Sequence, residues 1–241
     1  MFITINHIMK RLNFGIVKNI NMMNLLQKYN ISLKDAVVML VAVLIQAITA
    51  IWAKDDMISF ISGMAGIISV VLCSQKKLSF YLFGFIQLGT YLIIVTREHI
   101  WGEFAENIFY AITMIIGVFI WIKNYNKAKY EVTPKELSFE VRLLCMLLFA
   151  AGTMFMWMYL FSMTNDPYPF WDAISTMPAF IAEILMICGY REQWRYWLVV
   201  DVTSIVLWSM IGNPFMIVQY CLWTMNCIYG MHKWKEDLCI T

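Results

Sequence analysis

Eight runs of 18 to 23 mostly apolar residues leave this chain few ways to fold: 36–53, 57–74, 78–96, 104–122, 141–163, 172–189, 194–211 and 214–231. Roughly 17–25 helical residues cross the hydrocarbon core of a bilayer. A helix satisfies its own backbone polar groups in lipid, whereas an open sheet edge or a loop does not. Composition agrees, since 61% of the residues are hydrophobic and 14% charged, against about a quarter charged in a soluble domain. The reading is an all-α membrane protein with about eight transmembrane helices.

The loops test that number. With eight spans and both termini on one side, 16 of the 18 Lys and Arg fall on that side, and the other keeps Lys54 and Arg97. The positive-inside rule puts that side in the cytoplasm. Adding or losing a span would scramble the partition. Residues 1–35 lack the apolar core and small-residue cleavage site of a secretory signal, so they read as a cytoplasmic segment. Residues 123–140 form the one long polar stretch and read as a solvated cytoplasmic connection, and 235–241 as a cytoplasmic tail.

Two parts of the chain resemble each other. Gly117 and Trp121, with Lys123 close behind, recur in the same spacing as Gly230 and Trp234, with Lys235 close behind. The register set by these pairs also places Asn107 on Tyr220 and Tyr110 on Trp223. Shifted by one position, it pairs Phe80 with Trp194, Phe83 with Trp197 and Gln87 with Asp201. Two three-helix units, 57–122 and 172–234, are therefore expected on either side of a linker and connecting helix, 123–163. An odd number of intervening spans gives the units the same orientation, a parallel repeat. The span at 36–53 lies outside it.

Polar residues within the spans fall on shared helix faces, at spacings of three and four. These faces are Phe80, Gly84, Gln87 and Tyr91; Asn107, Tyr110, Met114, Gly117 and Trp121; Trp194, Trp197, Asp201, Ser204 and Trp208; and Gln219, Trp223, Asn226 and Gly230. Lipid penalises amides and carboxylates, so these faces turn inward. Two readings stand: a solute path, or hydrogen bonding that joins the helices. As a set on repeat-related helices they favour a path, with Gln87, Tyr91, Asn107, Tyr110, Trp194, Trp197, Asp201, Trp208, Gln219, Trp223 and Asn226 as the candidate substrate-binding residues.

Three carboxylates, Glu106, Glu183 and Asp201, lie at membrane depth with no Lys, Arg or His deep in any span to pair with them. Each is protonated there or meets water, an ion or a cationic solute. Asp201, central on a Trp face, suits a cation best. Glu106 lies near a span end within reach of water, Glu183 suits a hydrogen bond between helices, and Asp172 suits a cap on its own helix. Trp52, Trp101, Trp121 and Trp234 sit at span ends, where anchoring at the membrane interface accounts for them. Close helix packing accounts for Ser62, Gly66 and Ser69.

Several chemistries are excluded. His7, His99 and His232 lie outside the apolar runs, and the six cysteines form no C-x-x-C pair, so no metal site assembles. No serine sits in a catalytic motif, and no late span carries the lysine a Schiff base needs. Nothing calls for a cofactor or a nucleic-acid partner, and an enzyme is not expected.

With these residues in view, the stretch 57–234 resembles the PnuC-type nicotinamide riboside transporters of bacterial inner membranes. The resemblance rests on Gly63, Gly66, Gly84, Gln87, Tyr91, Gly102, Asn107, Tyr110, Gly117 and Trp121, then on Asp172, Glu192, Trp194, Trp197, Trp208, Tyr229, Gly230 and Trp234. It implies a three-plus-one-plus-three core similar to SWEET-type sugar transporters, with one extra N-terminal span. It also implies facilitated diffusion of nicotinamide riboside, trapped in the cytoplasm by a separate riboside kinase, and allows a homotrimer in the lipid bilayer. Related branches carry thiamine. Aromatic walls suit a pyridinium ring by stacking and cation–π attraction, and amides suit a carboxamide and ribose hydroxyls. Thiamine, another aromatic cation, fits nearly the same description, and the buried carboxylates leave cation coupling open. Pro178 and Pro214 are candidate hinges.

Overall fold

A computed structural model of the chain describes residues 33–54, 56–127 and 131–236. Most of the segments at 1–35 and 235–241, and His7, Lys129 and Cys239, lie outside them. The described residues form eight α-helices and one short hairpin: α1 (Leu33–Ala53), α2 (Met57–Ser74), α3 (Phe80–Arg97), α4 (Trp101–Lys123), β1 (Tyr125–Asn126), β2 (Glu131–Val132), α5 (Phe139–Met163), α6 (Pro169–Ile187), α7 (Gln193–Ile211) and α8 (Pro214–Glu236). Helices α1 to α6 are long and apolar enough to cross a membrane. In α7 and α8 the polar groups Gln193, Arg195, Asp201, Gln219, Asn226 and His232 lower the hydropathy.

Local chemistry sets the helix ends. Asp56 caps α2 by accepting from the Ser59 N–H at 2.8 Å, and Ser138 caps α5 by accepting from Val141. Pro169 and Pro214 open α6 and α8, where a missing N–H costs nothing. Asn213 accepts from the Met216 N–H at 3.1 Å. The final helix runs past the expected end at Met231, because His232 to Glu236 bring no helix breaker.

Burial sorts the helices. In the spanning windows of α2 and α6, 61% and 67% of residues are buried, against 11% for α1 and α5. Helices α2 and α6 are therefore central, while α1 and α5 present apolar faces outward. Helix α2 packs on α3, α8 and α1; α6 packs on α7, α4 and α5. The arrangement is reciprocal: the first helix of each expected unit meets the last helix of the other.

Specific contacts recur at equivalent places in the two units. The Trp121 indole donates to Met186 O at 3.0 Å, and the Trp234 indole to Ser74 O at 3.1 Å. Trp121 meets Tyr81 edge-on, and Trp234 meets Trp194 edge-on. A Cβ on Gly117 would strike Tyr81, and one on Gly230 would strike Trp194. Helices α2 and α6 end in left-handed residues, Lys76 (φ 59°) and Gly189 (φ 78°), and α3 and α7 in His99 (φ 58°) and Gly212 (φ 84°). By these contacts Tyr81, one residue beyond Phe80, stands where Trp194 stands in the other unit. Trp121 and Trp234 are fully buried. They tie one unit to the other instead of anchoring at a lipid interface.

The linker is docked, not merely solvated. Val132 is buried and its N–H donates to Lys76 O at 3.1 Å, while the Lys135 N–H donates to Gly189 O at 2.8 Å. Lys76 and Lys77 approach Glu131 at 2.9 and 3.2 Å. Burial alone would raise the Glu131 carboxyl pKa, but the two ammonium groups outweigh it and hold the carboxyl below its usual range. The linker is thus stitched to the α2–α3 turn and to the α6–α7 turn, which hold the same position in their respective units.

Candidate solute cavity

Between the two three-helix groups lies a cavity of about 120 Å³. Helices α2, α3, α4, α6, α7 and α8 all contribute to its lining. Nine of the eleven candidate residues line it: Gln87, Tyr91, Asn107, Tyr110, Trp194, Trp197, Asp201, Trp223 and Asn226. No Lys, Arg or His is among its lining residues.

The other two candidates lie elsewhere. Trp208 is two turns beyond Asp201, about 10 Å further along the helix. It is fully buried against Tyr91 in the cluster that closes that end. Gln219 is also fully buried, but it accepts from the Gln46 amide of α1 at 3.4 Å. The cavity face of α8 carries Tyr220, Trp223, Asn226 and Cys227, so it is turned by about one residue from the face expected.

The walls are held in place by specific bonds. The Asn107 amide donates to Glu103 O at 2.7 Å, and the Asn226 amide to Val70 O at 3.0 Å, so each is fixed in orientation. The Gln87 amide has no hydrogen bond among the described residues. The Trp194 and Trp223 indole N–H groups are buried without an acceptor among the described residues. Tyr110 and Trp197 meet edge-on at 6.0 Å, forming an aromatic corner. Gly66 lets the rings close in: a Cβ there would come within 2.8 Å of Trp223 and 3.2 Å of Gln87. Ser69, on the same strip, donates to Phe80 O at 3.0 Å. Gly66 and Ser69 of that strip, expected only to pack helices, are part of the cavity wall.

Three carboxylates line the space. Glu183 accepts from the Thr113 hydroxyl at 3.1 Å and so joins α6 to α4. Asp201 accepts from the Cys227 thiol at 3.1 Å. Glu106 is buried and lines the cavity instead of reaching water at the helix end, because α4 begins at Trp101, earlier than expected. Asp172 does not cap its own helix. It accepts from the Gly102 and Glu103 N–H groups at 2.6 and 3.0 Å and so caps α4. A Cβ on Gly102 would collide with that carboxylate.

Sequence periodicity missed some of the wall. Glu103 lay just outside the expected span, yet it is buried and accepts from the Tyr91 hydroxyl, which also meets the Tyr220 hydroxyl at 2.9 Å. This network sits at the end of the cavity away from the linker. Cys73 and Cys227, both free and buried, also line the cavity.

Residues 56–236 match the family described as "Nicotinamide mononucleotide transporter". The chain is 30% identical over 196 residues to the nicotinamide riboside transporter PnuC of Haemophilus influenzae, covering 78% of this chain and 85% of that protein. It is 28% identical over 213 residues to the PnuC of Neisseria mucosa, covering 84% and 81%. A solved structure described as the vitamin B3 transporter PnuC superposes with a TM-score of 0.78 at 26% identity, covering 89% of this chain and 97% of that one. These relatives are membrane transporters and not enzymes. By the match over most of its length and by its fold, this chain is a multi-pass membrane protein that belongs to the PnuC-type family of vitamin B3 transporters.

Proposed function

We propose that this protein carries nicotinamide riboside across the bacterial inner membrane by facilitated diffusion. The observation that carries the reading is the cavity lining, which combines aromatic rings, amides and three carboxylates with no Lys, Arg or His. The pyridinium ring suits the Tyr110–Trp197 corner. Gln87, Asn107 and Asn226 suit the carboxamide and ribose hydroxyls. The family description names the mononucleotide and the relatives' names give the riboside; the lining favours the riboside, because a phosphate dianion would meet three carboxylates and no cation.

Transport proceeds by alternating access of two parallel three-helix units around the cavity. The contacts that recur at equivalent places support that symmetry, as does the reciprocal packing of α2 on α8 and α6 on α4. All eight helices span the membrane in this reading, with both termini in the cytoplasm. A separate kinase traps the solute by phosphorylation, so no ion gradient is needed. A homotrimer belongs to the same proposal and rests on the resemblance.

Titration of the purified protein with nicotinamide riboside, nicotinamide mononucleotide and thiamine tests the substrate. Saturable binding of the riboside, weakened by Gln87→Ala and Trp197→Ala, is expected. Binding of thiamine alone would move the protein to another branch of the family, and preference for the mononucleotide would contradict the charge reasoning.

A further inference from the structure

The three cavity carboxylates differ in what holds them. Glu183 is engaged by the Thr113 hydroxyl across two helices. Glu106 lies in the second turn of α4, toward one end of the space. Asp201 is central in α7 and 2% exposed, and among the described residues its one hydrogen bond comes from Cys227, itself 4% exposed. A thiol is a weak donor, so it orients this carboxylate while compensating little of its charge. Trp197 lies one turn earlier on the same face of α7, within reach of the same ligand. Beside them the Trp194 indole N–H, buried on the lining, has no acceptor among the described residues. A ring placed at this corner meets aromatic faces on one side and an under-compensated carboxylate on the other.

We propose that Asp201 is the group that selects cationic over neutral solutes, and that Cys227 is the positioning residue that holds its carboxylate in place. This rests on the reading of the cavity as the solute site. A positive ring gains from the carboxylate and from the Trp197 face together, whereas a neutral ring of the same shape gains only the stacking. Glu183, held by Thr113, contributes to the join between α4 and α6 and not to this selection.

The test compares binding of nicotinamide riboside with that of its 1,4-dihydro form, which has the same ribose and carboxamide on an uncharged ring. The purified full chain is expected to prefer the cation by about tenfold or more, the scale of a desolvated charge pair. Asp201→Asn is expected to abolish the preference while keeping affinity for the dihydro form, which also reports an intact site. Cys227→Ala is expected to weaken cation binding several-fold without altering dihydro binding, and Cys227→Ser to restore it. Undiminished preference in Asp201→Asn would overturn the proposal. If Asp201→Asn binds neither form, Cys227→Ala decides: an unchanged preference there overturns it too. A wild-type protein that binds neither form overturns the riboside reading, and this inference falls with it.

Discussion

At the scale of single residues, close approach governs this site. Gly66 admits Trp223 and Gln87 to the cavity wall, so Gly66→Ala forces an aromatic ring to shift, with overpacking worth about 1–3 kcal/mol. Riboside binding is expected to fall roughly tenfold by titration. Gly89→Ala is the control, because a Cβ there meets nothing within 4 Å. Trp121→Phe keeps an aromatic ring but removes the indole donor to Met186 O, which still accepts from the Gly189 N–H at 3.0 Å. A loss of about 0.5–1.5 kcal/mol is expected, read as a lower melting temperature in detergent. Much of the cavity lining was legible in the sequence because a polar group in an apolar helix has one tolerable direction, and Gln87, Asn107 and Asp201 each took it. Gln219 misled because its partner, Gln46, sits on a helix outside the repeat, which no spacing within α8 signals. Cys227 was not picked out because a thiol reads as apolar until an acceptor is beside it.

At the scale of elements, the linker carries more structure than its charges announced. Glu131 faces Lys76 and Lys77 in a mostly buried setting, and β2 bonds the α2–α3 turn. The folded protein holds the Glu131 carboxyl below its ordinary value of 4.5. Such a group contributes stability that is present above the unfolded pKa and is lost as pH falls through the folded one. The melting temperature is therefore expected to drop as the pH falls below the ordinary carboxylate range, and Glu131→Gln is expected to lose part of that slope while starting lower at neutral pH. An identical slope in both proteins would remove the ion pairs from the account. Helix existence was legible throughout, because about 18 or more apolar residues in lipid allow little else. The hairpin was not, since its very short strands hold by docking onto turns that are distant in sequence.

At the scale of the whole molecule, two three-helix groups enclose one acidic, aromatic cavity, joined by a strap that bonds both at equivalent turns. The likeness between the closing helices of the two groups was faintly legible from Gly117, Trp121, Gly230 and Trp234, and the pairing expected across α3 and α7 is one residue off from the contacts. The contacts correct that register, because Tyr81 and Trp194 both pack against the glycine and the tryptophan of a closing helix. The passive carriage proposed for this architecture is open to a direct test. Purified protein in proteoliposomes would be given labelled nicotinamide riboside with no ion gradient, then with an imposed proton or sodium gradient. The account expects saturable uptake that stops at equal concentrations, speeds up with unlabelled riboside on the far side and ignores either gradient. Absent uptake, or accumulation above equilibrium driven by a gradient, would contradict it.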